Sequence, residues 1–282
     1  KALTSRLYSD PIRSIVRELA SNALDACRDQ PMEIHLPTVL EPFFSVRDHG
    51  PGLSESDMVE VFTRFGASTK RSTNTQIGGF GLGAKSPFAI VNSYTVESWH
   101  GGIYSNYAAS IGPDGMPALH RITTTPTTQT GLRITVPASQ RDNPKWEAAT
   151  SQLQFFRPTP IYNLSIEPTP IIYENEDYLV LAKGSPSVMV GPVSYPLDTN
   201  KLGIREYPVV LKFPVGGLEV TASREDIVYS PATMDKIKNF HKNVYENYRQ
   251  RINDLLPSCQ TIYDVWRLLE GKDRKSTRLN SS

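Results

Sequence analysis

Cysteine is nearly absent from this chain: Cys27 and Cys259 are the only two in 282 residues. They lie far apart, form no metal-type spacing and read as reduced, buried thiols, the pattern of a cytoplasmic compartment. An excess of either charge is also missing. The formal net charge is +1 at pH 7, so no global electrostatic argument favours nucleic acid or an anionic membrane. No apolar run approaches the roughly 20 residues of a membrane span, and no secretory signal pattern is present. His35, His49, His100, His120 and His241 show no metal spacing. There is no internal repeat and no heptad run long enough for a coiled coil. What remains is 39% hydrophobic and 21% charged, an ordinary globular composition that can bury a core. The length suits two domains or one large one.

The densest special composition is Gln76 to Ser86, QIGGFGLGAKS, with Gly78, Gly79, Gly81 and Gly83 close together. Without Cβ atoms, backbone N–H groups can turn inward and approach an anion. Pro87 is expected to open a helix whose positive N-terminal end would add to the effect. This is a candidate phosphate cradle, though a mobile turn would have the same composition.

Periodicity predicts a helix over Pro11–Arg28, with Asp10 as cap and Pro11 in the first turn. Ile12, Ile15, Val16, Leu19, Ala20, Ala23, Leu24 and Cys27 form one apolar stripe. Glu18, Asn22 and Asp25 fall on a second, polar stripe. Either this is a solvated face, or it is the wall of a site, since asparagine is a poor helix former. Phe43–Arg47 reads as a strand running into Asp48-His49-Gly50-Pro51-Gly52, a carboxylate followed by either a structural turn or a ligand contact. Ser54–Phe65 reads as a capped helix. Gly66–Gln76 has the composition of a lid loop, in which Lys70 reads as solvated.

Strand patterns follow at Tyr94–Trp99, Ile103–Ser110, Ala118–Thr124 and Gly131–Val136. The first half therefore reads as an α+β sandwich with a mostly antiparallel sheet. A junction is expected over 141–158, separating a first domain, 1–140, from a second α+β domain, 159–272. In the latter, strands are expected near Tyr162–Glu167, Tyr178–Ala182, Ser187–Val190, Pro208–Phe213 and Leu218–Thr221. A helix is expected from about Pro231 to Leu256, with Ile237, Phe240, Val244, Tyr245, Tyr248 and Ile252 as its buried stripe. The chain begins at Lys1 without methionine, and residues upstream are expected. Residues 273–282, DRKSTRLNSS, resemble read-through of a sequencing-adapter oligonucleotide and are left out of fold reasoning. The natural protein is expected to continue past Lys272.

Three segments then combine. ELASNALDA (Glu18–Ala26), DHGPG (Asp48–Gly52) and IGGFGLG (Ile77–Gly83) resemble, in order and spacing, the three signature boxes of the GHKL ATPases. That superfamily includes gyrase, the ninety-kilodalton heat-shock chaperones, histidine kinases and MutL. The third box is closest to the chaperone version. The resemblance covers about 11–137 and implies a Bergerat-type α/β sandwich, followed by a smaller transducer- or middle-like domain. More narrowly, LYSDPIRSIVRELASNALDA with IGGFGLGAKSPFAI is similar to the bacteriophage rIIA-type group. TASREDIVYS (Thr221–Ser230) resembles the N-x-S-R-E segment of the chaperone middle domain, with Thr221 departing from its asparagine.

The resemblance assigns roles residue by residue. Glu18 would be the general base or position the attacking water. Asn22 would give its amide oxygen to Mg²⁺. Asp25 would hydrogen-bond toward the adenine-side loop, or be purely structural. Asp48 would accept from the adenine amino group, with Gly50 and Gly52 letting backbone lie against base and ribose. Gly78, Gly79, Phe80, Gly81, Leu82 and Gly83 would wrap the β- and γ-phosphates, with Lys85 an added positive charge. Arg224 would reach the nucleotide, or simply pair with Glu225 or Asp226. The family's late Gly-Thr departs here to Thr130-Gly131-Leu132. Either Thr130 substitutes by a register shift or that contact to adenine is lost.

The resulting expectation is Mg²⁺-dependent ATP hydrolysis driving lid closure, N-domain dimerisation and rearrangement of the second domain. The alternative is an ATP-switched binding module with little catalysis. A histidine kinase would need an upstream phospho-accepting histidine that nothing here supplies. An rIIA-like protein would act in the host bacterial cytoplasm, with peripheral membrane association open and its client unnamed.

Overall fold

A computed structural model of the chain describes residues 8–27, 29–63, 83–221, 223–262 and 264. Packing divides the chain into two compact units, one of residues up to Glu167 together with Thr221–Glu225, the other of Pro168–Val220 and the residues from Asp226 on.

The first unit opens with α1 (Pro11–Ala26). Asp10 caps it by accepting the Arg13 N–H at 3.1 Å, and the Cys27 N–H closes the last turn on the Ala23 carbonyl. The expected apolar residues from Ile12 to Leu24 are buried. Cys27 is not; both cysteines are partly exposed free thiols, correcting the buried reading, because Cys27 already lies past the helix end. Then come β1 (Glu33–His35), β2 (Phe43–Asp48) and α2 (Glu55–Thr63), whose start is capped by Ser54 Oγ accepting from the Asp57 N–H. A seven-residue 3-10 helix, Gly83–Ala89, precedes β3 (Ser93–His100), β4 (Ile103–Ile111), β5 (Pro117–Pro126) and β6 (Gly131–Pro137). Pro87 therefore sits inside that element rather than opening a helix. The turn is held by burial of Phe88 against Tyr94 and by the Tyr94 hydroxyl donating to the Ala84 carbonyl at 2.7 Å. After a short 3-10 turn at Gln140–Asp142, the unit ends with α3 (Asn143–Ala149), a second turn at Thr150–Leu153, and β7 (Ile161–Tyr162).

These strands make one seven-stranded sheet in the order β5-β4-β3-β6-β2-β1-β7, antiparallel except for the β1–β7 pair. α1 packs on β2, α3 and the Gly83–Ala89 turn. The α+β sandwich expected of the first half is present, with a sheet strand, β1, that its three residues were too short to announce.

The junction expected over 141–158 is corrected by these contacts. Buried Trp146 stacks on Phe44 of β2 with ring centroids 4.6 Å apart, and the Gln152 amide donates to the Arg13 carbonyl at 2.9 Å. Those residues are part of the sandwich, as is β7, paired with β1 through Glu33 and Ile161. The expected strand Tyr162–Glu167 stops early because the Asn163 side chain takes both the N–H and the carbonyl of Leu36, ending the ladder.

The second unit holds β8 (Ile171–Glu174), β9 (Tyr178–Leu181), β10 (Ser187–Val190), β11 (Val193–Pro196), α4 (Thr199–Leu202), β12 (Val209–Phe213) and α5 (Pro231–Leu255). Its five-stranded sheet runs β11-β10-β12-β9-β8, with β10 and β12 parallel. β8 and β11 were missed, and Leu218–Thr221 is no strand; it contributes one bridge, Val220 to Ile227. α5 is capped by Ser230 and buries Ile237, His241 and Val244, so a histidine joins the expected stripe, while Phe240, Tyr245, Tyr248 and Ile252 sit only half-buried at its borders. Among the described residues, no helix is long and apolar enough to cross a membrane.

Candidate functional site

One side of α1 carries charge into the interior. Glu18 and Arg17 are both buried, while Asn22 and Asp25, the next members of the polar stripe, are half-buried. A solvated face is thereby excluded for Glu18. The reason it is covered lies in the third box: the backbone of Gly83 lies directly over it. A Cβ at Gly83 would come within 2.8 Å of Glu18 Oε2 and 3.0 Å of Asn22 Nδ2, so only a hydrogen atom fits without displacing both side chains. The end of the glycine run thus meets the acid–amide pair one helical turn apart. Gly78, Gly79, Phe80, Gly81 and Leu82, and the Gly66–Gln76 loop, lie outside the described residues.

Two guanidinium groups approach the same carboxylate. Arg17 Nε is 3.9 Å from Glu18 Oε1, and Arg224 Nη1 is 3.8 Å from Glu18 Oε2. Arg224 comes from the Thr221–Glu225 segment that packs within the first unit, and its backbone has a left-handed φ of 57°. That conformation is uncommon for a long side chain and is tolerated where the surroundings enforce it. Of the two carboxylates expected as simple partners of Arg224, Glu225 and Asp226, Glu225 turns to the start of α1, accepting from the N–H groups of Ser9 and Asp10. Tyr8 is buried beside this cluster. Burial, and then the negative field of Glu18, push its phenol up to about 12. Sequence reasoning missed Tyr8, Arg17 and Glu225. Arg17 and Tyr8 had no signal beyond adjacency to the first box.

The second box closes on the other end of α1. Asp48 ends β2, is buried, and accepts the Gly50 N–H at 2.9 Å. Burial raises its pKa above the ordinary 3.8, opposed by the N–H groups of Gly50 and Leu132. A Cβ at Gly50 would lie 2.7 Å from the Ala26 carbonyl, so the turn can press against the helix end only as glycine. Gly52 has a left-handed φ of 71° and backs onto the Trp99 carbonyl. Leu132 stands opposite Asp48 in the β2–β6 register, and its backbone N–H reaches the carboxylate. Thr130 lies further along and donates its exposed hydroxyl to the His49 carbonyl at 3.3 Å. The position opposite Asp48 is therefore held by a main-chain donor rather than a threonine side chain.

Lys85 differs from its expected part. Its side chain is fully buried and its ammonium donates to the Val61 carbonyl in the last turns of α2; burial lowers its pKa to about 8. A cation at a helix C-terminal carbonyl is electrostatically favourable. The residue expected to add positive charge near the phosphates is thus a buried side chain bonded to α2, two residues from Gly83. Among the described residues no group of three or more His, Cys, Asp or Glu could hold a metal ion.

A long helix on a mostly antiparallel sheet, with an acid–amide pair under a glycine and a strand-end aspartate at its far end, is the arrangement of an α+β sandwich with a site along one helix. Residues 8–140 match the family described as histidine kinase-, DNA gyrase B-, and HSP90-like ATPase, a little under half of the chain. No curated protein matches it.

Proposed function

We propose that this chain binds ATP with Mg²⁺ and hydrolyses it slowly, with Glu18 as general base and Asp48 as the adenine contact. The observation that carries the reading is that Glu18 and the turn after Asp48 meet the same helix at two separated points. Gly83 meets α1 at Glu18 and Asn22, and Gly50 meets it at Ala26. Eight residues of helix separate Glu18 from Ala26, a rise of about 12 Å, the scale of a nucleoside triphosphate from base to terminal phosphate.

In this reading the Asp48 carboxylate accepts from the adenine amino group, which distinguishes adenine from guanine. Gly83, the described end of the glycine run, meets the β- and γ-phosphates. The Asn22 amide oxygen faces the metal, whose other positions go to water and phosphate; bound Mg²⁺ supplies charge neutralisation of the triphosphate. Glu18 orients and deprotonates the attacking water. Arg224, already 3.8 Å from Glu18, is within a small side-chain movement of a terminal phosphate at that place.

The two guanidiniums on Glu18 also favour a second reading. Held between Arg17 and Arg224, the carboxylate is oriented toward guanidinium groups and not toward a water, so ATP could act chiefly as a conformational ligand for the residues beyond 167. Full-length chain that releases no phosphate with Mg²⁺, yet changes protease sensitivity with ATP, selects that switch. Lid closure over the site, ATP-dependent pairing of two N-terminal units and an rIIA-like role in an infected bacterial cytoplasm extend the same proposal. The last rests only on residues between the boxes.

Glu18→Ala separates chemistry from binding. It is expected to keep ATP affinity within a fewfold while hydrolysis falls by roughly 10²-fold or more. Equal loss of both would remove Glu18 from the base role.

A further inference from the structure

The N-terminal turn of α1 is gripped from far along the chain. The Glu225 carboxylate accepts the Ser9 N–H at 3.0 Å, the Asp10 N–H at 2.9 Å and the Ser14 hydroxyl at 3.1 Å. Helix starts leave N–H groups without intrahelical partners, and negative charge there is stabilised by the helix dipole. Asp10 serves the Arg13 N–H; Glu225 serves the two N–H groups just before the helix. Beside this grip, Arg17 donates to the Ser223 carbonyl at 3.2 Å and to the Ser14 hydroxyl at 3.3 Å. Arg224 stands between them in sequence, with a φ of 57° and its guanidinium 3.8 Å from Glu18. Three consecutive residues therefore meet α1 at three points: Ser223 at Arg17, Arg224 at Glu18, Glu225 at Ser9–Ser14.

We propose that Glu225 is a positioning residue: by gripping the start of α1 it holds residues 223–225 on that helix and so sets Arg224 against the Glu18 carboxylate. The proposal rests on the reading of Glu18 and Arg224 as nucleotide-site residues. Its physical basis is independent of that reading. A single carboxylate takes three donors, two of them rigid main-chain groups, and charge-assisted bonds of this kind are about twice as strong as neutral ones. Burial alone would raise the Glu225 pKa; the N–H groups of Asp10 and Ser9 and the Ser14 hydroxyl reverse this and leave it below 4.5.

The test uses the full chain with Glu225→Gln, Arg224→Ala and the double variant. Glutamine keeps the shape but places an amide donor against donors. Without nucleotide, Glu225→Gln is expected to speed tryptic cleavage after Arg224 and amide exchange at Ser9 and Asp10 by about tenfold each. With Mg²⁺ and ATP, it is expected to lower turnover about tenfold while ATP affinity stays within twofold, and to have no further effect when Arg224 is already alanine. Unchanged cleavage and exchange overturn the grip. Equal loss of turnover in both backgrounds also overturns the proposal, because Glu225 would then be a helix cap and nothing more. If the unsubstituted chain binds no ATP, the nucleotide reading fails, and the grip stands or falls on cleavage and exchange alone.

Discussion

Among the described residues, Arg17, Glu18, Arg47, Asp48 and Lys85 are buried, and all lie in the first unit; the second unit's buried polar side chain is His241, beside Tyr207, which in turn meets Tyr245. Burying an ion carries a desolvation penalty of several kcal/mol that pairing only partly offsets, so a fold gains little stability from it. Aromatic rings with polar tips fill an interior without that penalty. The contrast, by its physical cost, supports placing the proposed function in the first unit. It also sorts the charges there. Arg47 stacks 3.8 Å over the Trp99 ring and donates to Gln129, and Lys85 sits on a helix-end carbonyl, so both are structural. Glu18 and Asp48 each meet a glycine turn instead, and these carry the proposed chemistry.

The contrast can be sharpened by removing the buried groups one at a time. The largest effect belongs to Glu18→Ala, with hydrolysis lost and binding kept. Next comes Lys85→Met, read as a pH slope. Between the folded value of about 8 and the ordinary 10.5, the unfolded chain binds a proton that the folded chain has released, so stability of the unsubstituted chain rises with pH across that window. Urea unfolding at both ends of the window is expected to show this rise, and Lys85→Met is expected to flatten it. The smallest effect lies in the second unit. Burial lowers the His241 pKa below 6.5, opposed by the Arg205 carbonyl, and the other ring nitrogen, Nε2, has no hydrogen-bond partner among the described residues. As pH falls through 6.5 the unfolded chain takes up the proton first, so stability drops. His241→Phe is expected to remove that acid sensitivity; retention of the full slope would break the contrast between the units.

Much of the site was legible because its parts are local in sequence. A 3.6-residue period puts Glu18 and Asn22 on one face, and Asp48 is the last residue of a strand. The sheet was legible from alternation in its long strands, β3 to β6. What failed has a common cause in distance. Trp146 on Phe44 and Ile161 beside Glu33 are contacts across more than a hundred residues, and they moved the boundary from the expected 141–158 to Glu167. Glu225 lies 215 residues from Asp10, and no local pattern signals that it would cap that helix rather than pair with Arg224. Short strands such as β1, β8 and β11 carry too few alternations to stand out. His241 falls at helical spacing from Ile237 and Val244, and the stripe was read without it because histidine is usually placed at the surface.

The central claim is that Asp48 and the Glu18–Gly83 corner serve one adenine nucleotide. ATP-dependent thermal stabilisation of the full chain tests it, comparing the unsubstituted protein with Asp48→Asn at fixed Mg²⁺. A ligand at a hundred times its Kd adds about 2.7 kcal/mol, a shift of several degrees. Loss of one charged hydrogen bond weakens binding by roughly 10- to 100-fold. The account predicts a clear ATP-specific shift that Asp48→Asn largely abolishes and that GTP does not reproduce. Equal shifts for both proteins, or none for either, would contradict it.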